Sequence, residues 1–123
     1  MTGPGKAIRK RILLADDQPE VRETIKLLLG LDEHTVAEAC DGREALSLFE
    51  PGKFDLVITD YVMPVMKGDE LATNIKQMAP AQPILMITGS AENFGGVKVA
   101  VDGLLNKPFG FEDLRHAIAE LVC

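Results

Sequence analysis

Five polar residues of this 123-residue chain stand where short apolar runs stop. Asp16 and Asp17 follow "RILLA", Asp60 ends "FDLVITD", Thr88 ends "PILMIT", and Lys107 follows "GLLN". Each alone has a plainer use, since an aspartate after a strand commonly forms a turn or caps a helix. Together they make a set suited to phosphorus chemistry. Three gathered carboxylates repel one another and invite a hard cation, and Mg²⁺ takes a few carboxylate oxygens, retained waters and a phosphoryl group. A lysine ammonium neutralises a phosphoryl oxygen as a compact point charge, and the Thr88 hydroxyl could donate to another. Phosphoryl transfer draws most of its catalysis from such positioning and neutralisation. The chemistry requires that the five converge, so the question passes to the elements between them.

Apolar runs of strand length alternate with segments of helical period. "RILLA" (11–15), "TVAEAC" (35–40), "FDLVITD" (54–60), "PILMIT" (83–88) and "GLLNKP" (103–108) read as strands, the second being the weakest. Between them, Val21, Ile25 and Leu28 share one helical face behind Pro19, which suits a first helical turn. Ala45, Leu48 and Phe49 share another, closed by Pro51-Gly52, and Leu71, Ala72, Ile75 and Met78 a third, stopped by Pro80. The tail places Phe111, Leu114, Ile118 and Leu121 together. Between Thr88 and Gly103, Gly95-Gly96 predicts a short or late helix. Five strand–helix alternations predict an α/β fold: a five-stranded parallel sheet with helices on both faces and a short fourth helix. Right-handed crossovers favour the flavodoxin-like strand order 2-1-3-4-5. Such sheets place functional groups just past the carboxyl ends of their strands, where all five polar residues fall.

Composition narrows the functions. The chain carries 19 acidic and 13 basic residues, a formal net charge of -6, which argues against direct nucleic-acid binding. The basic cluster of Lys6 with Arg9, Lys10 and Arg11 reads as a solvated N-terminal arm (1–10) leading into one domain (11–123). Cys40 and Cys123 offer neither a disulfide framework nor metal-site spacing, as expected of a reduced compartment. No apolar run is long enough to suggest a membrane span, and a cytoplasmic location is expected. His34 and His116 are expected at the surface, away from the acidic cluster. Met63, Met66, Met78 and Met86 read as packing or loop residues.

The motifs "LLADD", "DLVITDYVMP", "ILMITGS" and "LLNKPF", in that order, make the chain resemble the receiver domains of response regulators in two-component signalling. The resemblance implies that Asp60 is the phosphoacceptor, taking a phosphoryl group from a phosphohistidine of a sensor histidine kinase or histidine phosphotransfer protein in a phosphorelay. It implies Mg²⁺, or Mn²⁺ in its place, held by Asp17, Asp60 and the backbone carbonyl of Val62, with Asp16 acting largely through metal-bound water. Lys107 matches the lysine that contacts the phosphoryl group, and Thr88 the hydroxyl that moves inward after modification. The Lys107-Pro108 bond is expected to be cis. Such a module switches a partner-binding surface and has no multi-turnover substrate, so it is not classed as an enzyme.

Two departures stand out. Leu104 occupies the position, three residues before the lysine, where receivers often carry a Tyr or Phe that turns inward on activation. The interval from Thr88 to Lys107 is shorter than the family norm by about one helical turn, so the common output face around that helix is expected to differ. Two other functions compete. An Asp-nucleophile phosphatase usually has a second Asp two positions beyond the nucleophile, where this chain has Val62. A pseudo-receiver that only binds partners would be expected to lose parts of the acidic cluster or the lysine, and both are intact.

Overall fold

The computed structural model of the chain describes residues 9–89 and 100–122. The stretch holding Lys6, the segment around Gly95-Gly96 with its expected short helix, and Cys123 lie outside the described residues.

Alternation of side chains along the apolar runs decides the architecture. In β1 (Arg11–Ala15), Leu13 and Ala15 point one way and Ile12 and Leu14 the other, all at most 1% exposed. A strand apolar on both faces must be covered on both, which suits parallel sheets with helical crossovers. The remaining strands are β2 (Thr35–Ala39), β3 (Leu56–Asp60), β4 (Ile84–Thr88) and β5 (Gly103–Asn106). They pair in parallel in the order β2-β1-β3-β4-β5, as the sequence predicts. The partly exposed β2 lies at one edge.

Two hydrophobic clusters fill the spaces above and below the sheet. On one side, Leu13, Val57 and Ile84 pack with Ala45 of α2 (Gly42–Leu48) and with Leu71, Ala72 and Ile75 of α3 (Gly68–Met78). On the other, Ile12, Leu14, Ile58 and Leu85 pack with Ile25 and Leu29 of α1 (Pro19–Leu31) and Leu114 and Ile118 of α4 (Phe111–Leu121). Each fully buried aliphatic side chain contributes about 1.5–3 kcal/mol.

The helices start where local chemistry allows. Pro19 opens α1, and the Asp41 side chain accepts the Glu44 N–H (2.8 Å) at the head of α2. Asp113 Oδ2 accepts the Gly110 N–H (2.8 Å) at the head of α4. Ion pairs fasten the opposite end of the sheet. Arg11 makes a two-pronged contact with Asp55 (3.1 Å on each prong), Lys76 pairs with Asp102 (2.8 Å), and Arg115 pairs with Asp32 (2.9 Å).

Three expectations need correction or refinement. Met78 is 46% exposed, because it is the last residue of α3 and the helix has reached the edge of its cluster there. His34 is not a surface residue: it is 8% exposed, and its Nδ1 accepts the Lys10 N–H at 2.9 Å. A buried polar ring needs such a partner, and this one comes from a strand entrance 24 residues away in sequence. The described end of the basic arm is tied down as well. Arg9 pairs with Glu33 at 2.6 Å, and the Lys10 carbonyl accepts the Thr35 N–H at 2.9 Å.

Candidate phosphoacceptor site

Parallel pairing carries the ends of β1, β3, β4 and β5 to one rim. Asp60 is the last residue of β3, opposite Ile87 of β4, so Thr88 follows at its side. Thr88 is opposite Asn106, and its carbonyl accepts the Lys107 N–H at 2.8 Å, which sets the start of the Lys107 side chain beside β4. Lys107 Nζ then reaches Asp60 Oδ1 at 3.3 Å. The Lys107-Pro108 bond is cis, as the resemblance implies.

Beyond β1, the Asp16 N–H donates to the Ala39 carbonyl of β2 (3.1 Å), continuing the ladder by one residue. Ligand oxygens of Asp16, Asp17 and Asp60 all lie within 4.8 Å of one another. Asp16 and Asp60 are buried, Asp17 is half-buried, and Thr88 is buried at the same rim. Val62 lies in the loop that leaves Asp60, with its side chain exposed. Its place among the metal ligands rests on the family pattern alone.

The electrostatics of the cluster are unbalanced. Burial pushes the Asp16 carboxyl above the usual carboxylate range; the Asp60 and Asp17 charges add to this, while the Gln18 N–H and Lys107 oppose it. Asp60 is raised too, again mainly by burial, against the pull of Lys107 and the Tyr61 N–H. Desolvation therefore outweighs the ion pair at Asp60. When ionised, three carboxylates facing one ammonium leave a surplus of two negative charges.

One atom makes this concrete. Asp16 Oδ1 accepts the Gln18 N–H at 2.9 Å, while Oδ2 is buried with no hydrogen-bond partner. An ionised oxygen left so costs about 1–3 kcal/mol or more. A divalent cation with its water shell would satisfy that oxygen and offset the surplus charge, so the residues present fit Mg²⁺.

Two contributors carry no motif-level signal. Gly68, at the start of α3, donates its N–H to the Tyr61 carbonyl at 2.8 Å. A Cβ on Gly68 would overlap the Asp60 carbonyl oxygen and come within 3.1 Å of Tyr61 Cα, so only glycine lets α3 rest on the peptide that leaves Asp60. Arg22 of α1 donates from Nη1 to the Asp16 carbonyl at 2.7 Å. Between these points, Val65 has φ 72°, and Met66 N–H donates to the Pro64 carbonyl at 2.7 Å, a tight three-residue turn that a β-branched residue adopts only under strain.

Comparison with known proteins agrees with this architecture. The family described as "Response regulator receiver domain" matches residues 12–119. The "Response regulator MprA" of Mycolicibacterium vanbaalenii is 36% identical over 115 residues, covering 91% of this chain and 50% of that protein. The "Alkaline phosphatase synthesis transcriptional regulatory protein PhoP" of Bacillus subtilis is 32% identical over 118 residues, covering 94% of this chain and 49% of that protein. The chain thus spans about half the length of the curated relatives it matches. Among solved structures, response regulator protein TrrA from Thermotoga maritima, in complex with Mg²⁺-BeF, superposes with a TM-score of 0.85. It is 33% identical, and the match covers 92% of this chain and 99% of that one. Chemotaxis response regulator CheY4 of Vibrio cholerae gives a TM-score of 0.84 at 31% identity, covering 94% of this chain and all of that one (100%). With a family match over residues 12–119 and a parallel sheet in the order 2-1-3-4-5, the chain belongs to the response regulator receiver domains of two-component systems.

Proposed function

We propose that Asp60 accepts a phosphoryl group from a phosphohistidine carried by a sensor histidine kinase or a histidine phosphotransfer protein. A carboxylate oxygen of Asp60 attacks phosphorus, the P–N bond to the imidazole breaks, and the imidazole leaves with a proton in place of the phosphoryl group. The observation that carries this reading is the 3.3 Å approach of Lys107 to Asp60 within a cluster of three carboxylates. β3 holds Asp60 at a fixed place on the rim, and Lys107 balances charge on the incoming phosphoryl oxygens. Asp17, Asp60 and the Val62 carbonyl would hold Mg²⁺, or Mn²⁺ in its place, with Asp16 reaching it through water. When bound, the ion supplies charge neutralisation at the transferring group. Thr88, on the strand neighbouring Asp60, is the hydroxyl positioned to answer the new charge by moving toward it.

The output is a change in binding surface rather than turnover of a substrate, so the domain (11–123, with 1–10 as its arm) acts as a cytoplasmic switch in a phosphorelay. Leu104 stands 46% exposed where many receivers place a mobile aromatic ring, so this switch does not run through ring rotation at that position.

Incubation with acetyl phosphate and Mg²⁺, followed by intact mass, tests the acceptor. One added phosphoryl group is expected, absent in Asp60→Asn and absent when EDTA replaces Mg²⁺. No mass gain, or an equal gain in Asp60→Asn, refutes the assignment.

A further inference from the structure

We infer that Arg22 is a positioning residue for the cation site, its guanidinium, braced by Glu38, fixing the peptide between Asp16 and Asp17 so that both carboxylates face Asp60. The inference deepens the proposed function and rests on its Mg²⁺-binding reading.

The contacts form a bracket across three elements. Arg22, in the first turns of α1, donates from Nη1 to the Asp16 carbonyl at 2.7 Å and from Nε to Glu38 Oε1 at 3.2 Å. The other Glu38 oxygen takes Lys26 Nζ at 3.0 Å, so Glu38 is itself held from two sides. Glu38 sits in β2 opposite Leu14 of β1, two residues before Asp16. The next β2 residue, Ala39, accepts the Asp16 N–H at 3.1 Å. β2 therefore controls Asp16 twice, directly through Ala39 and indirectly through Glu38 and Arg22.

The Asp16 carbonyl belongs to the same planar peptide as the Asp17 N–H, so a bond that stops the carbonyl from turning also fixes the direction in which the chain enters Asp17. Gln18 N–H meanwhile holds Asp16 Oδ1, leaving Oδ2 as the unpartnered oxygen within the cluster. The guanidinium fork serves two acceptors at once in a fixed plane, which a lysine cannot do. The Arg22–Glu38 ion pair is partly buried, its side chains 20% and 32% exposed, so thermal melts must separate its contribution to stability from its effect on the cation site. Its distinctive contact is the bond to a carbonyl one peptide away from a proposed metal ligand. Groups that orient ligands from behind in this way commonly set metal affinity by about 10–100-fold.

The test is titration calorimetry of Mg²⁺ into the full chain and its variants, with thermal melts in EDTA as the measure of fold. Arg22→Met keeps the aliphatic stem and removes both donors. Its Mg²⁺ Kd is expected to rise by about tenfold or more, with Glu38→Gln in between and Arg22→Lys recovering part of the loss. Labelling of Arg22→Met by acetyl phosphate should return toward that of the unaltered chain as Mg²⁺ approaches saturation. Arg115→Met, which breaks the ion pair with Asp32 at the other end of the sheet, should lose thermal stability while keeping its Mg²⁺ Kd. A Kd for Arg22→Met within about twofold of the unaltered chain overturns the inference. So does an equal loss of affinity in Arg115→Met, which would mark general loosening. An unaltered chain that binds no Mg²⁺ overturns the site reading as well, so the two failures are distinct.

Discussion

Replacing Asp16 by asparagine is expected to stabilise the metal-free protein and to remove most of its response to Mg²⁺. The substitution keeps the oxygen that accepts the Gln18 N–H (2.9 Å) and replaces the buried, unpartnered oxygen with an amide. It also deletes one member of a carboxylate trio whose ligand oxygens lie within 4.8 Å of one another. At that separation, with an effective dielectric of 20, each repulsion is worth about 3.5 kcal/mol before screening. The half-exposed setting of Asp17 and the shared Lys107 charge reduce this, leaving an expected net gain of about 1–3 kcal/mol. For a domain of this size that is a rise in Tm of about 4–12 °C in EDTA. Adding Mg²⁺ to about 100 times its Kd should raise the stability of the unaltered chain by about 2.7 kcal/mol and that of the variant by much less. The pH dependence has a definite sign. Burial raises the Asp16 carboxyl in the folded chain, so the folded state holds the proton longer than the unfolded one. Its cost to stability is therefore absent below the unfolded value of about 3.9 and grows as pH rises through the raised folded value. The gap between variant and unaltered chain should be closed below about pH 4 and widen as pH rises toward neutrality. Urea titrations at several pH values in EDTA measure it. A variant no more stable at neutral pH, or a gap that does not change with pH, would refute the reasoning.

Gly68→Ala forces a methyl group onto the Asp60 carbonyl and should cost about 1–3 kcal/mol or more by urea denaturation, with slower labelling of Asp60. Val65→Gly trades strain at φ 72° for chain entropy, so its unfolding free energy by urea denaturation should stay within about 1 kcal/mol of the unaltered chain, on the stabilised side. His34 has its pKa lowered by burial, so the folded state binds protons less readily. Stability should fall as pH drops below about 6.5, and His34→Gln should flatten that slope in melts between pH 5 and 8.

The strand order and the five rim residues were legible because the signals are local and repeated. Runs such as Leu56-Val57-Ile58 announce a strand buried on both faces, and in a parallel sheet every such strand ends at the same edge. What escaped depends on contacts between residues distant along the chain or on backbone detail. His34 looked like a surface histidine because the Lys10 N–H that satisfies it comes from the entrance to a strand 24 residues earlier. Met78 fitted the period of α3, but period says nothing about where the neighbouring cluster stops. Arg22 and Gly68 act on backbone carbonyls, of Asp16 and Tyr61, and a carbonyl leaves no mark in the side-chain pattern.

The contact at Gly68 has one more consequence. The chain departs from β3 at Asp60, passes through residues 61–67, and settles again on the very peptide it left. That stretch is a circuit of fixed perimeter, fastened by the Gly68 to Tyr61 hydrogen bond. Lengthening or shortening it would lift the α3 end off the Asp60 peptide, whereas exchanging its outward side chains, Val62 and Val65 among them, would leave the circuit intact. Variation here can repaint the frame around Asp60 without resizing it, whatever residues decorate its border.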